Sequence, residues 1–353
     1  MGLTYPFDFI MTPIKAVTKP IAGGQCGIDM RRVLHVGPVN TPGGMGKVIQ
    51  ILFSTPPDGW EAETLDSHST MGSIAKFFAM RRARKFIRQR GHSFDIIHFH
   101  SAADWSWFRK MHLLKQAKKT GAEIVFHIHS GRFDSWARMH GERYGYNFWK
   151  KVEDVNVVTL SASWSDRLRE IIGESTPMVN PVDPSIEPSL KKRSATRFLI
   201  MGRPDPVKGH TEAISLVHNL RNNGEEFTLA ATGIENASEK WVDARGWVGE
   251  EEKRHLLHTS KALLVPSSYE GQPLIILEAL ASGCPVIASS AVPDLPSCVS
   301  NIPLSDIDSW KEAMLNPITE GLVEAAKPHN IENVRKQWGE FYDRIIDSKA
   351  STE

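Results

Sequence analysis

The stretch Val265-Pro266-Ser267-Ser268-Tyr269-Glu270-Gly271-Gln272-Pro273-Leu274-Ile275-Ile276-Leu277-Glu278-Ala279-Leu280 decides the fold. It opens as the end of the apolar run Ala262–Val265, breaks into a polar loop, and resumes as an apolar segment long enough for a helix over 273–282. Pro273 suits a first helical turn, where a missing N–H goes unnoticed. A short buried strand, a loop bearing a carboxylate and a helix make the β–α half of a parallel α/β unit.

The same alternation runs outward in both directions. Strands are expected at 197–202, 226–231, 262–266 and 285–288, with helices at 210–223, 250–259 and 273–282. Further back, strands are expected at 32–37, 95–100, 124–128 and 155–160, with helices from about Met45 and over 71–90, 104–119 and 163–172. Nearly unbroken Ile/Val runs imply sheets covered on both faces. Between the two sets lie Pro177, Pro181, Pro184 and Pro188 and then Lys191-Lys192-Arg193, the mark of a linker. Val334, Trp338, Phe341, Tyr342, Ile345 and Ile346 recur at helical spacing and predict a closing helix over 331–347. The division expected is a poorly structured leader at 1–29, a first α/β domain at 30–178, a linker at 179–196, a second α/β domain at 197–326, and the closing helix and tail at 327–353.

Composition narrows the class. The chain has 353 residues, 41% hydrophobic and 24% charged, with 42 Lys+Arg against 41 Asp+Glu. Those are globular values, and a net charge of +1 argues against a nucleic-acid-binding surface. Cys26, Cys284 and Cys298 are odd in number and far apart, so they make neither a disulfide framework nor a four-cysteine zinc site, as suits a reducing cytosol. No run of 18 apolar residues spans a membrane.

Three loops could carry chemistry. Pro42-Gly43-Gly44-Met45-Gly46-Lys47 follows the first strand, and adjacent glycines before a helix let backbone approach an anion closely; a plain tight turn reads equally well. Gly202-Arg203-Pro204-Asp205-Pro206-Val207-Lys208-Gly209 places one Arg and one Lys at a strand's carboxyl end, able to grip phosphate by a fork and a point charge. Glu270 lies in the third loop, and Glu278 falls inside the apolar stretch Leu274–Ala281, where a carboxylate needs a partner such as a ribose diol or a cation.

With its Gly271-x-Pro273 loop, E-x7-E spacing and closing Glu278-Ala279-Leu280, together with Gly202-Arg203…Lys208-Gly209, the sequence closely resembles the retaining family-4 glycosyltransferases. Asp95-Ile96-Ile97-His98-Phe99-His100-Ser101, His129-Ser130-Gly131-Arg132 and the connector Val179-Asn180-Pro181-Val182-Asp183 agree. The resemblance implies the GT-B fold, two Rossmann-like doubly wound domains facing each other across a cleft. It implies that Gly202, Arg203 and Lys208 hold the diphosphate of a UDP- or GDP-sugar and that Glu278 holds the ribose. Glu270 would contact the sugar, with the backbone of Gly271, Gln272, Pro273 and Leu274 lining the site and Gly43 and Gly44 lying over the phosphates. His129 would stand beside the transferring sugar as a positioning group, and His100 would be an acceptor-side candidate. Metal and further cofactors are not required by that family. Thr232-Gly233-Ile234-Glu235-Asn236 departs from its usual Gly-x-Gly-Pro, which loosens any choice of nucleotide.

Other signals are bland. Asp306-Ile307-Asp308 matches D-x-D but reads as a helix cap. His98, His100, His127 and His129 alternate on two strands with no carboxylate or thiolate beside them, a poor zinc set. Residues 76–90 hold seven basic residues and no acid, interleaved with Phe77, Phe78, Met80, Phe86 and Ile87; this reads as a surface helix with a core face, or as a helix resting on anionic lipid. The expected protein is a nucleotide-sugar-dependent transferase acting on a saccharide or lipid-linked saccharide, cytoplasmic or peripheral on the cytoplasmic membrane. A nucleotide-sugar 2-epimerase of the same architecture and a non-catalytic sugar-binding subunit are the rivals.

Overall fold

The computed structural model describes residues 30–351 apart from Pro42 and Thr70; the leader expected over 1–29 lies outside the described residues. In the first half, strands β1 (Arg31–Gly37), β2 (Trp60–Asp66), β3 (Ile96–Ser101), β4 (Glu123–Ile128), β5 (Asn156–Thr159) and β6 (Thr176–Pro177) alternate with helices α1 (Gly44–Ser54), α2 (Ser73–Arg90), α3 (Trp105–Ala117), α4 (Phe133–Tyr144), α5 (Trp149–Val152) and α6 (Ala162–Ile172). The second half holds β7 (Arg197–Ile200), β8 (Thr228–Ala231), β9 (Val242–Ala244), β10 (Leu263–Val265), β11 (Val286–Ser289) and β12 (Ser300–Ile302), with α7 (His210–Asn222), α8 (Glu250–Thr259), α9 (Leu274–Ala281), α10 (Ile307–Leu315), α11 (Leu322–Ala326) and α12 (Ile331–Ala350).

Each half is one six-stranded sheet, ordered β2-β1-β3-β4-β5-β6 and β12-β11-β10-β7-β8-β9, and every pairing is parallel. The expectation of two doubly wound α/β halves is therefore met. Helices bury both faces. On one side of the first sheet Leu34, Phe99 and Phe126 meet Trp107, Trp136 and Leu168; on the other Val33, Ile96 and Val125 meet Val48 and Leu52 of α1. Of the aromatic residues at 105–149, Trp107 and Trp136 are core, whereas Trp105, Tyr144 and Trp149 are exposed.

Two features depart from the sequence reading. No strand is expected between 37 and 95, yet β2 forms there, its Glu61, Glu63 and Asp66 interrupting the apolar run at the sheet edge. The closing helix also crosses back: Val334, Trp338, Phe341, Tyr342 and Ile345 of α12 join the core of the first half, each worth roughly 1.5–3 kcal/mol when buried. Helix α12 thus packs on the first half and ties the second half to it. Asp306 caps α10, accepting from the Ser309 amide at 3.1 Å and its hydroxyl at 2.8 Å, as expected.

Candidate active site

In parallel sheets ligands gather at the carboxyl ends of the strands. The loop after β7 delivers Lys208. Asp205 accepts from the Val207 amide at 3.1 Å and closes a short 3-10 turn over Pro206–Lys208, and Gly209 ends it at φ 74°. A Cβ at Gly209 would run into the Pro266 carbonyl, so only glycine lets this turn lie against β10. The Lys208 side chain then packs across Gly202, where a Cβ would sit 3.3 Å from its Cγ.

The loop after β10 brings Glu270 to it. Glu270 Oε1 accepts from Lys208 Nζ at 2.6 Å and from the Ser267 hydroxyl at 2.9 Å. Arg203 is not brought in with them: its side chain is exposed and makes no ion pair or hydrogen bond among the described residues. Pro273 is the N-cap of α9, one residue earlier than its expected place inside the helix, and the first amides of α9 have no intrahelical partner. Glu278, on the inner side of α9, is 4% exposed and takes a cation as its partner: Lys253 Nζ donates to Oε1 at 2.8 Å. Burial still holds the Glu278 carboxyl above its ordinary range, against the pull of Lys253.

Lys253 opens a chain of charges that sequence reading missed. It pairs with Glu250 at 2.7 Å; Glu250 faces Lys47 of α1 at 3.4 Å; and Lys47 meets Asp183 of the connector at 2.5 Å. Burial would raise the Asp183 carboxyl, yet the Lys47 ammonium and the Ser185 donors hold it at about 2. First half, connector and second half are thus joined by one alternating series of ions ending on Glu278.

The halves also touch at the glycine loops. A Cβ on Gly131 would fall inside the backbone of Glu270 and Gly271, and one on Gly271 would come 3.1 Å from the His129 carbonyl. Trp164 Nε1 donates to the Gly271 carbonyl at 3.2 Å. Gln272, expected to offer backbone to the donor, is mainly a tie: its Oε1 accepts from the Asn180 amide at 2.7 Å and its Nε2 donates to the Leu160 carbonyl at 3.3 Å. Gly43 is exposed at the N-cap of α1 with φ 137°, and Gly44 faces Leu274, whose Cδ1 would be 3.8 Å from a Cβ there. The two helix N-termini, α1 and α9, therefore face each other across the cleft.

His129 stands at the carboxyl end of β4, half-buried, with its amide on the Ser101 carbonyl at 2.8 Å. His100 does not reach an acceptor. It is fully buried, its Nδ1 lies 3.0 Å from His129 Nε2, and its Nε2 lies 3.0 Å from Nδ1 of His35, a residue the sequence reading passed over. Burial, then neighbouring rings, keep His100 well below its usual pKa, and burial holds His35 and His129 at about 3. The three form a neutral hydrogen-bonded chain. His35, His98 and His100, and likewise His100, His127 and His129, bring one nitrogen each within 4.8 Å, but among the described residues no carboxylate or thiolate joins either group. A dication there would lie in the core without a countercharge.

Comparison with known proteins bears on the fold. Residues 186–319 match the family described as Glycosyl transferases group 1. Over 234 residues the chain is 27% identical to the glycogen synthase of Mycobacterium tuberculosis, covering 59% of this chain and 55% of that one. Over 250 residues it is 27% identical to the MMP alpha-(1->4)-mannosyltransferase of Mycolicibacterium hassiacum, covering 61% and 58%. The chain thus spans a little over half the length of these two relatives. In three dimensions it superposes on sucrose-phosphate synthase from Thermosynechococcus elongatus with a TM-score of 0.69 at 14% identity, over 90% of this chain and 100% of that one. The fold is GT-B, and the resemblance to GT-B glycosyltransferases drawn from the motifs is borne out.

Proposed function

We propose that this chain transfers a sugar from a nucleotide-sugar donor to a saccharide or lipid-linked saccharide, as part of polysaccharide or glycoconjugate synthesis. The observation that carries the reading is the meeting of Lys208 and Glu270 at 2.6 Å, beside the free amides of α9 and opposite Gly43 and Gly44. Loss of a nucleoside diphosphate develops negative charge, and a cation with helix amides aimed at that charge favours the transition state. In this reading Lys208 and Arg203 neutralise the diphosphate, Glu270 orients the donor sugar, and Glu278 with Lys253 meets the ribose. The sugar leaves with its anomeric configuration retained, the departing phosphate takes the acceptor's proton, and no metal ion takes part. His129 orients a hydroxyl and is not assigned as the base.

The acceptor half carries a feature that suits a lipid-linked substrate. Among the described residues no helix is long and apolar enough to cross a membrane. Helix α2 nonetheless leaves Ile74, Phe77 and Phe78 at 76%, 50% and 57% exposure, beside exposed Arg81, Arg82, Arg84, Lys85 and Arg88, while Ala79, Ala83 and Ile87 face the core. Both readings of this helix therefore find residues to support them. The apolar end lies where β2 hands over to α2, at the cleft side of the sheet, so the proposed enzyme works peripherally at the cytoplasmic face of a membrane.

The test is thermal unfolding in the presence of UDP-, GDP-, ADP- and CMP-sugars, followed by nucleoside diphosphate release with and without saccharide acceptors. One nucleotide series is expected to raise Tm. Release should need an acceptor and should be lost in Lys208→Ala. Conversion of UDP-N-acetylglucosamine to a new nucleotide sugar without acceptor would favour the epimerase; no shift with any nucleotide would end the proposal.

A further inference from the structure

The least expected charge in the molecule lies outside the donor seat. Lys110 of α3 is 1% exposed, and its ammonium has one hydrogen-bond partner among the described residues, the hydroxyl of buried Ser67 at 2.7 Å. Lysine is almost never so buried unless an acid pairs with it. None does here. Its neighbour Arg109, half-buried, makes no ion pair or hydrogen bond among the described residues, and its Nε is sealed from water without a partner. His68, just past β2, has its Nδ1 in the same condition. The acid nearest this group is Asp66, already occupied: its carboxylate accepts from the Asn40 side chain at 3.1 Å and from the His68 amide at 2.9 Å.

These groups repel one another. Burial and then Arg109 lower the Lys110 ammonium, and burial followed by Arg109, Lys76 and Lys110 lowers the His68 imidazole, against a weaker upward pull from Asp66 on both. His129 feels Lys110 as well, so the cluster adjoins the proposed reaction centre. All of it gathers where β2, β3 and β4 end, on the half that faces the acceptor. Unpaired buried cations and orphaned donors are costly, and an anion relieves both costs at once.

Resting on the transferase reading, we propose that Arg109, His68 and Lys110 form a seat for an anionic group carried by the acceptor, a phosphate or a carboxylate, held next to His129. Arg109 supplies the fork and His68 a further donor, both half-buried. Lys110, sealed beneath Ser67, stands behind them, and an anion in the seat favours its charged form. The substrate class is thereby narrowed to acceptors with a phosphoryl or uronate group near the hydroxyl that is glycosylated.

The experiment uses the full chain carrying Lys208→Met, which disables the donor's phosphate seat, with inorganic phosphate and glucuronate as separate probes in isothermal titration. Saturable binding of one of them is expected; tighter phosphate assigns a phosphoryl acceptor and tighter glucuronate a uronate acceptor. Adding Arg109→Gln should weaken that binding at least tenfold, while Arg109→Lys, which keeps the charge but loses the fork, should weaken it clearly less than Arg109→Gln does. In the otherwise unaltered chain, Arg109→Gln should shift nucleotide affinity less than twofold, which separates this seat from the donor site. No saturable binding of either anion, or equal binding with and without Arg109→Gln, would overturn the proposal. So would equal losses in Arg109→Gln and Arg109→Lys, the sign of a folding defect.

Discussion

Lys208 Nζ lies 2.6 Å from Glu270 Oε1, so the two side chains proposed to meet the donor occupy one another in this structure. A phosphate entering the seat competes with a carboxylate for the same ammonium. Lys208→Met removes the cation and leaves Glu270, 11% exposed in its side chain, with the Ser267 hydroxyl. At about 1.5–3 kcal/mol for a hydrogen bond to a charged group, donor affinity should fall roughly 10- to 150-fold. Glu270→Gln frees the ammonium, and should weaken donor binding less than it slows transfer. A double-mutant cycle measured by calorimetry and by transfer rate separates these effects, and additive losses would mean the pair does not act as a unit.

Gly131 and Glu270 meet backbone to backbone across the cleft, with no room for a Cβ. Gly131→Ala is expected to hold the halves apart at this point while leaving each core intact. Transfer should drop at least tenfold, donor affinity should change little, and small-angle scattering should report a larger radius of gyration. An unchanged radius with unchanged activity would mean the contact is dispensable.

The contrast between what sequence reveals and hides is physical. Strands such as Val33–Val36 and Leu263–Val265 are buried on both faces and print as unbroken apolar runs, so the two sheets were legible. The edge strand β2 carries Glu61, Glu63 and Asp66, and such charges protect an edge while erasing the apolar signal. Strands β9 (Val242-Asp243-Ala244) and β12 (Ser300-Asn301-Ile302), at the edges of the second sheet, carry polar residues and leave no apolar run. Loop motifs exposed Lys208, Glu270 and Glu278 because their spacing is local. The ion chain Asp183–Lys47–Glu250–Lys253–Glu278 joins residues that only folding brings together, and nothing in α3 marks Lys110 as buried. The closing helix was visible as a period, but its docking on the first sheet was not.

Both nitrogens of His100 are engaged, by His35 and by His129, each at 3.0 Å. A neutral imidazole has one donor and one acceptor, so the tautomer of His35 dictates that of His129 through His100. His35→Leu breaks the chain and should lower kcat several-fold with KM for the donor nearly constant. His35→Asn, which returns a donor and an acceptor near the lost Nδ1, should recover most of the loss. Nitrogen-15 chemical shifts of His129 should report mixed tautomers in the Leu variant alone; identical spectra in both variants would show that the rings are merely packed.

Lys110 also makes a stability prediction whose sign can be worked out. Burial, aided by Arg109, lowers its ammonium from the ordinary 10.5 to about 7 in the folded chain. Above pH 10.5 the residue is neutral folded and unfolded, and contributes no difference. Between about 7 and 10.5 the unfolded chain holds a proton that the folded chain lacks, so this residue destabilises the fold progressively as pH falls, by up to about 1.4 kcal/mol per unit. Below about 7 both states are protonated and the penalty is constant. Lys110→Met removes it. In urea unfolding the variant should be the more stable protein at pH 7 by a few kcal/mol, with the gap narrowing steadily toward pH 10. Parallel stability curves would mean that the ammonium keeps its solution pKa. A gain in stability together with weakened anion binding would instead show that the fold tolerates a destabilising charge for the sake of its substrate.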